Sequence, residues 1–314
     1  MAFAFAAVGF VGANAAFSLL IALVWRSMRR TGWSSNTLFV IRMLPAAGSA
    51  VLVLAVILPS FWSFEPRGTS EQAGPAVVVF AGAAGALIIA AARRALRSWL
   101  ATRRMERAWR RTAVRATSLA FPVRAYRVPS NAPLAALVGV LRPRLFLSAP
   151  FLDGLLPGER QVVLDHEAAH LRKLDNLKRT VMRLAPDGLA LSAIGREIEA
   201  AWAIAAEEEA DDRAAGIDRA RSLDLASALI KASRLAPVHC VSASNFCEEA
   251  AIVRRVARLL DDGPARREPQ PPRAPRLVLA VALLCVGAVL TGPALRAAYT
   301  LTESAVRLLD YGAW

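Results

Sequence analysis

Four stretches of this chain are nearly free of charge and long enough to cross a bilayer, which takes about 20 apolar residues. They run from Phe3 to Trp25, from Leu38 to Trp62, from Pro75 to Ala92 and from Leu277 to Leu295. The second holds one charge, Arg42, near its start. Between the third and fourth, residues 93–275 are polar and contain no comparable run. The pattern predicts a mainly α membrane protein. Residues 1–92 carry three transmembrane helices (3–25, 38–62 and 75–92), residues 93–275 form a polar domain, and residues 276–314 carry a fourth helix (277–295) and a short tail.

The first stretch has no basic segment ahead of it, and Arg26 follows it instead. It therefore reads as a retained helix rather than a cleaved signal peptide. Arginines set the expected orientation. Arg26, Arg29 and Arg30 follow the first stretch, nine arginines from Arg93 to Arg115 follow the third, and Arg266, Arg267, Arg273 and Arg276 precede the fourth. The loop from Ser63 to Gly74 has only Arg67, beside Glu65 and Glu71. This places the N-terminus and the C-terminal tail outside the cell membrane and the polar domain in the cytoplasm. Arg42 is expected to snorkel to the interface, and Asn14 to bond a neighbouring helix.

Within the polar region the periodicity changes. Ala92 to Arg111 reads as a basic helix with Trp99 and Trp109 among its arginines, expected to lie on the membrane surface against anionic lipid. Pro122 to Ser130 reads as a strand, and Pro133 to Pro150 as a hairpin turning near Gly139 to Pro143. A helical pattern then starts at Pro157, with Glu159 in its first turn, and runs to Pro186. Further helices are predicted over Arg196 to Ala215, ended by Gly216, over Ser222 to Arg234 and over Glu248 to Asp262. Residues 263–275 form a Pro-rich linker.

Composition sharpens this reading. Of 314 residues, 55% are hydrophobic, which is high for an ordinary soluble domain. The net charge of +14 comes almost wholly from arginine, since only three lysines occur. The arginines cluster at the ends of apolar stretches and no nucleic-acid motif accompanies them, so no direct nucleic-acid binding is expected. The cysteines, Cys240, Cys247 and Cys285, form no CxxC pair, which argues against a disulfide scaffold and for a reducing compartment.

The chain has three histidines, and two lie four residues apart in "VVLDHEAAHLRKLDN", Val162 to Asn176. On a helix, His166 and His170 share a face and can point at one ion, with Glu167 flanking it. Two imidazoles suit Zn²⁺, and the glutamate can take a proton from water beside it. A catalytic zinc needs a third protein ligand. "AAEEEADDRAAG", Ala205 to Gly216, supplies carboxylates on two faces, Glu207 with Asp211 and Glu208 with Asp212. His239, the remaining histidine, is a candidate to stabilise an oxyanion.

Together, the four apolar stretches, "HEAAHLRKLDN", the later "EEEADDRAA", "VRRVARLL" and "LRPRLFLSAP" resemble the BlaR/MecR-type membrane metallopeptidases. The resemblance covers nearly the whole chain. It implies a cytoplasmic α+β zincin-like metalloprotease domain between the third and fourth spans. It implies one Zn²⁺ per chain held by His166, His170 and Glu207, with Glu167 as general base and Asp211 orienting a ligand histidine. Glu208 is the competing ligand if the register slips by one. The hairpin edge would pair an extended peptide beside the metal.

The resemblance further implies a zinc metalloendopeptidase that cleaves a cytoplasmic protein, expected to be a transcriptional repressor, in signal transduction. It leaves room for self-cleavage and for a homo-oligomer. Residues 296–314 are too short to hold the penicillin-binding sensor domain of the family's transducers, so beta-lactam sensing is not implied. Two other readings stand beside this one: a quality-control protease of the HtpX type, and a membrane signalling protein without catalytic activity.

Overall fold

The computed structural model describes residues 2–28, 32–64, 74–129, 135–235, 243–261 and 292–311, and most of these are helical. Three of the helices described are long and apolar enough to cross a membrane: Ala2–Ser27, Ser35–Phe64 and Val77–Thr112. The predicted fourth span lies mostly outside the described residues, as do the Pro-rich linker and His239. Contacts divide the chain into two units. One comprises Met1–Ala95, Val181–Trp202 and Pro271–Trp314, and the other Leu96–Thr180 and Ala203–Gln270.

The first unit is built on α1 (Ala2–Met28), on α2 (Ser35–Leu52), which continues through a π-helical turn (Val53–Ile57) into α3 (Leu58–Phe64), and on the apolar part of α4 (Pro75–Thr112). Phe5, Val8, Val53, Ile57 and Val77 form a shared apolar core. Tyr299 joins it from α11 (Gly292–Tyr311), stacking on Phe5 at 6.0 Å and leaning on Phe64 at 6.1 Å. The sequence reads this segment as a tail; the structure gives it a 20-residue helix.

Two polar residues of the spans meet the segment after Leu184, which the sequence assigns to the polar domain. Asn14 donates to the carbonyl of Pro186 (3.2 Å) and accepts from the backbone N–H of Gly188 (3.1 Å). Arg42 does not snorkel. It is fully buried, donating to both oxygens of Asp187 (3.1 and 2.9 Å) and, through Nε, to Glu199 (2.8 Å). The physical reason is the buried carboxylate opposite it: a charge that finds a charged partner inside has no need to reach for water. Trp25 adds a bond from Nε1 to Glu197 (3.0 Å).

The basic segment after the third apolar stretch is helical, as expected, and continues the helix before it: α4 runs unbroken for 38 residues through both the apolar and the arginine-rich parts.

The second unit carries a four-stranded sheet in the order β1 (Val114–Arg115), β2 (Ala125–Val128), β4 (Arg144–Ser148), β3 (Ala135–Val138). β2 and β4 are parallel, and the other two pairs are antiparallel. β3 and β4 form the expected hairpin. β4 is buried on both faces: Leu145 and Leu147 pack towards Leu164, while Phe146 packs on Tyr126 and Trp109. After α5 (Ala149–Gly154), the histidine-bearing α6 (Pro157–Lys173) packs against α9 (Arg219–Leu235) through Val162, Leu225 and Ala226. Pro157 and Glu159 open α6 as the sequence predicts, with Glu159 accepting from the backbone N–H of Leu156 (2.7 Å). The helix does not run to Pro186. Leu174 adopts a left-handed conformation (φ 56°, ψ 38°), and α7 (Asp175–Leu184) starts anew. α8 (Ala193–Ala215), which Gly216 ends at φ 59°, and α10 (Ala243–Leu260) complete the helices.

Candidate metal centre

His166 and His170 lie one turn apart on α6, and their rings meet edge-on at 4.8 Å. Their Nε2 atoms are 3.2 Å apart. Glu207 on α8 faces both, at 3.5 Å from His166 Nε2 and 3.6 Å from His170 Nε2. These three residues could hold a metal ion. The distances suit one: ligands about 2.0–2.2 Å from a tetrahedral ion stand about 3.3–3.6 Å from one another.

The far side of each ring explains why both Nε2 atoms point inward. His170 Nδ1 is 2.7 Å from Asp175 Oδ2. His166 Nδ1 is 3.0 Å from Asp211 Oδ1, an ion-pair contact out of line with the ring N–H. Carboxylates behind ligand imidazoles fix ring orientation and raise basicity. Asp175 reaches His170 because the left-handed Leu174 ends α6 and turns the chain back.

Arg255 on α10 ties the acidic side together. It clamps Asp211 through two bonds of 2.7 Å and lies 3.1 Å from Glu207. Asp211 is fully buried, so this bidentate pairing is what makes its charge tolerable there.

The charges follow from these contacts. Burial opposes a charged His170, yet Asp175 and Glu207 outweigh it and lift the ring to about 10. His166 is raised in the same way, against burial, by Asp211 and Glu207. Two rings that both attract protons cannot each hold one on Nε2 across 3.2 Å. The site therefore favours a shared proton or a cation. Glu207 is held well below the usual carboxylate range, since both histidines outweigh its burial. Glu167, buried on the same helix, is pushed up by that burial.

The centre opens into a cleft of about 350 Å³ that His166, Glu167, His170, Glu207 and Arg255 share with β3. Among the described residues β3 lies at the edge of the sheet. Asn176 donates to the outward carbonyls of Leu137 (2.7 Å) and Gly139 (3.2 Å), fixing the strand beside the histidines. Backbone groups alternate along a strand, so Ala135 faces outward as Leu137 does.

The structure thus brings together His166, Glu167, His170, Glu207 and Asp211. It turns Glu208 away, to Arg254 at 3.3 Å, so Glu208 is not in the group. Sequence reasoning gave Asp175, Asn176 and Arg255 no role, although the first two directly follow the histidine helix and the third lies in "VRRVARLL". No family model matches the chain, and no curated protein or solved structure matches it either.

Proposed function

We propose that the chain is a membrane-anchored zinc endopeptidase. The observation that carries this is the carboxylate-backed triangle of His166, His170 and Glu207 beside a buried glutamate and an open strand edge. Two imidazoles and one carboxylate are a donor set that zinc takes in catalytic sites. When bound, zinc supplies a Lewis acid and lowers the pKa of water. Glu167 takes the proton of the attacking water and passes it to the leaving amine. Burial raises its affinity for a proton, as a group that takes one and passes it on requires. The outward groups of β3 that Asn176 leaves open, those of Ala135 among them, pair an extended peptide, and Asn176 keeps the strand in place. Asp175, Asp211 and Arg255 hold the ligand side chains.

The arginine distribution supports a cytoplasmic site. The stacking of Phe5, Phe64 and Tyr299 supports four spans, because it puts residue 299 at the same end as the N-terminus. On this topology the substrate is a cytoplasmic protein, with a transcriptional repressor as the member of that class the family resemblance favours. Anionic lipid would meet the arginines that follow the third span.

The test is zinc content and peptide hydrolysis by the purified full-length protein. We expect one zinc per chain, and in Glu167→Gln the same zinc with hydrolysis reduced by about 10²-fold or more. A protein that binds no zinc rules this reading out. One that binds zinc and hydrolyses equally well with and without Glu167 removes its catalytic half.

A further inference from the structure

We propose a second binding site, for a phosphate group, in the cleft that Arg115, Arg124 and Arg142 line at one end of the sheet. Its residues are distinct from the candidate metal centre, and it stands whether or not the chain is a protease.

The grouping comes from strand order, not from a charge run. Arg115 closes β1, Arg124 directly precedes β2, and Arg142 lies in the β3–β4 turn ahead of Arg144. β2 and β4 are parallel, while β1 and β3 run against them, so the starts of β2 and β4 share one sheet end with the finishes of β1 and β3. Gly139, at φ 101°, makes the tight turn that presents Arg142; a Cβ there would lie 3.1 Å from the Arg142 carbonyl oxygen. All four arginines line one cleft of about 650 Å³, together with Thr117 and Phe121.

Only Arg144 has an acidic partner there, Glu106. Among the described residues, Arg115, Arg124 and Arg142 make no ion pair. Three uncompensated guanidinium groups in a concave wall concentrate positive potential where an anion can enter. The forked donors match tetrahedral oxyanions. Arginine forks from three segments that line one cleft suit a ligand with several acceptor oxygens, which a phosphate offers more fully than a lone carboxylate does. The phosphate can belong to a soluble ester or to a lipid headgroup.

The experiment follows thermal unfolding of the full-length protein in neutral detergent at constant ionic strength. One arm titrates inorganic pyrophosphate; the other adds phosphatidylglycerol, with phosphatidylcholine as control. A saturable stabilisation in the first arm identifies a soluble phosphate, and in the second alone a headgroup; either supports the site. Arg124→Ser with Arg142→Ser should weaken the effect on the order of tenfold or more, and Arg142→Lys should weaken it while keeping the charge. Arg196→Ser with Arg234→Ser, an equal charge change at exposed positions of α8 and α9, should leave it intact. No saturable stabilisation in either arm, or equal loss in both double variants, overturns the proposal.

Discussion

Asp175 decides how His170 presents itself. With its Nδ1 held at 2.7 Å by that carboxylate, His170 has its Nε2 turned towards His166 and Glu207. Removing such a carboxylate from behind a ligand imidazole typically costs about 10–100-fold in metal affinity. Asp175→Ala is therefore expected to weaken zinc binding by about that factor. Arg255→Ala is expected to do so as well, since it releases Glu207 and leaves Asp211 buried without its guanidinium partner. Competition titration with a zinc chelator measures both; unchanged affinity in either variant would remove that residue from the centre.

The same contacts set a pH dependence. His170 of the metal-free chain sits at about 10, above the value of about 6.5 expected when unfolded. A raised folded value stabilises fully below about 6.5 and is lost as pH rises through about 10. Protons and metal compete for the same nitrogen, so zinc affinity changes in the opposite direction. Between about pH 6.5 and 9 the metal-free protein should lose thermal stability while its zinc affinity rises. Curves that are flat over this range would show that the ring is not held charged.

At the scale of elements, the hydrophobic pattern was informative wherever a helix or strand had a simple burial rule. The hairpin was legible for that reason, and the start of α6 at Pro157 and the end of α8 at Gly216 from the proline and glycine that mark helix ends. Glu207 was legible as one of two candidates because i,i+4 spacing fixes a face. The family resemblance favours it over Glu208, and in the structure Arg254 and Arg258 of α10 take the other face. Arg255 was invisible because its role depends on two helices meeting, which no local spacing records. The break at Leu174 was missed because a left-handed leucine carries no sequence mark; glycine or asparagine would have shown it.

One junction makes a sharp prediction. At the start of α8, a Cβ on Gly195 would lie 1.9 Å from the carbonyl oxygen of Leu189. Gly195→Ala forces backbone apart and should cost about 1–3 kcal/mol. Gly12→Ala, where nothing lies within 4 Å, should be neutral or stabilising by up to about 1 kcal/mol. Thermal unfolding compares the two; equal midpoints would refute the close approach at Gly195.

For the molecule as a whole, the unexpected feature is how the spans hold residues 185–199. Asn14, Trp25 and Arg42, on two apolar helices, all bond to that segment. Sequence patterning pointed to Asn14 as a helix-bonding residue but read Arg42 as an interfacial charge, because nothing local pairs it with Asp187, 145 residues away. Removing one member of a buried ion pair costs about 3–5 kcal/mol, whereas replacing both with apolar side chains is often neutral. Arg42→Met should therefore destabilise strongly, and Arg42→Met with Asp187→Leu should recover part of the loss, since Glu199 and the Ala190 N–H still lack their partners. Additive losses in the double variant would show that the two side chains do not pair.

The proposed function is that this chain cuts protein. Its most direct test is mass-spectrometric mapping of protein N-termini in cells producing the wild type or Glu167→Gln at matched levels. New N-termini are expected in cytoplasmic proteins with the wild type and should vanish in the variant. Identical N-termini in the two would contradict it.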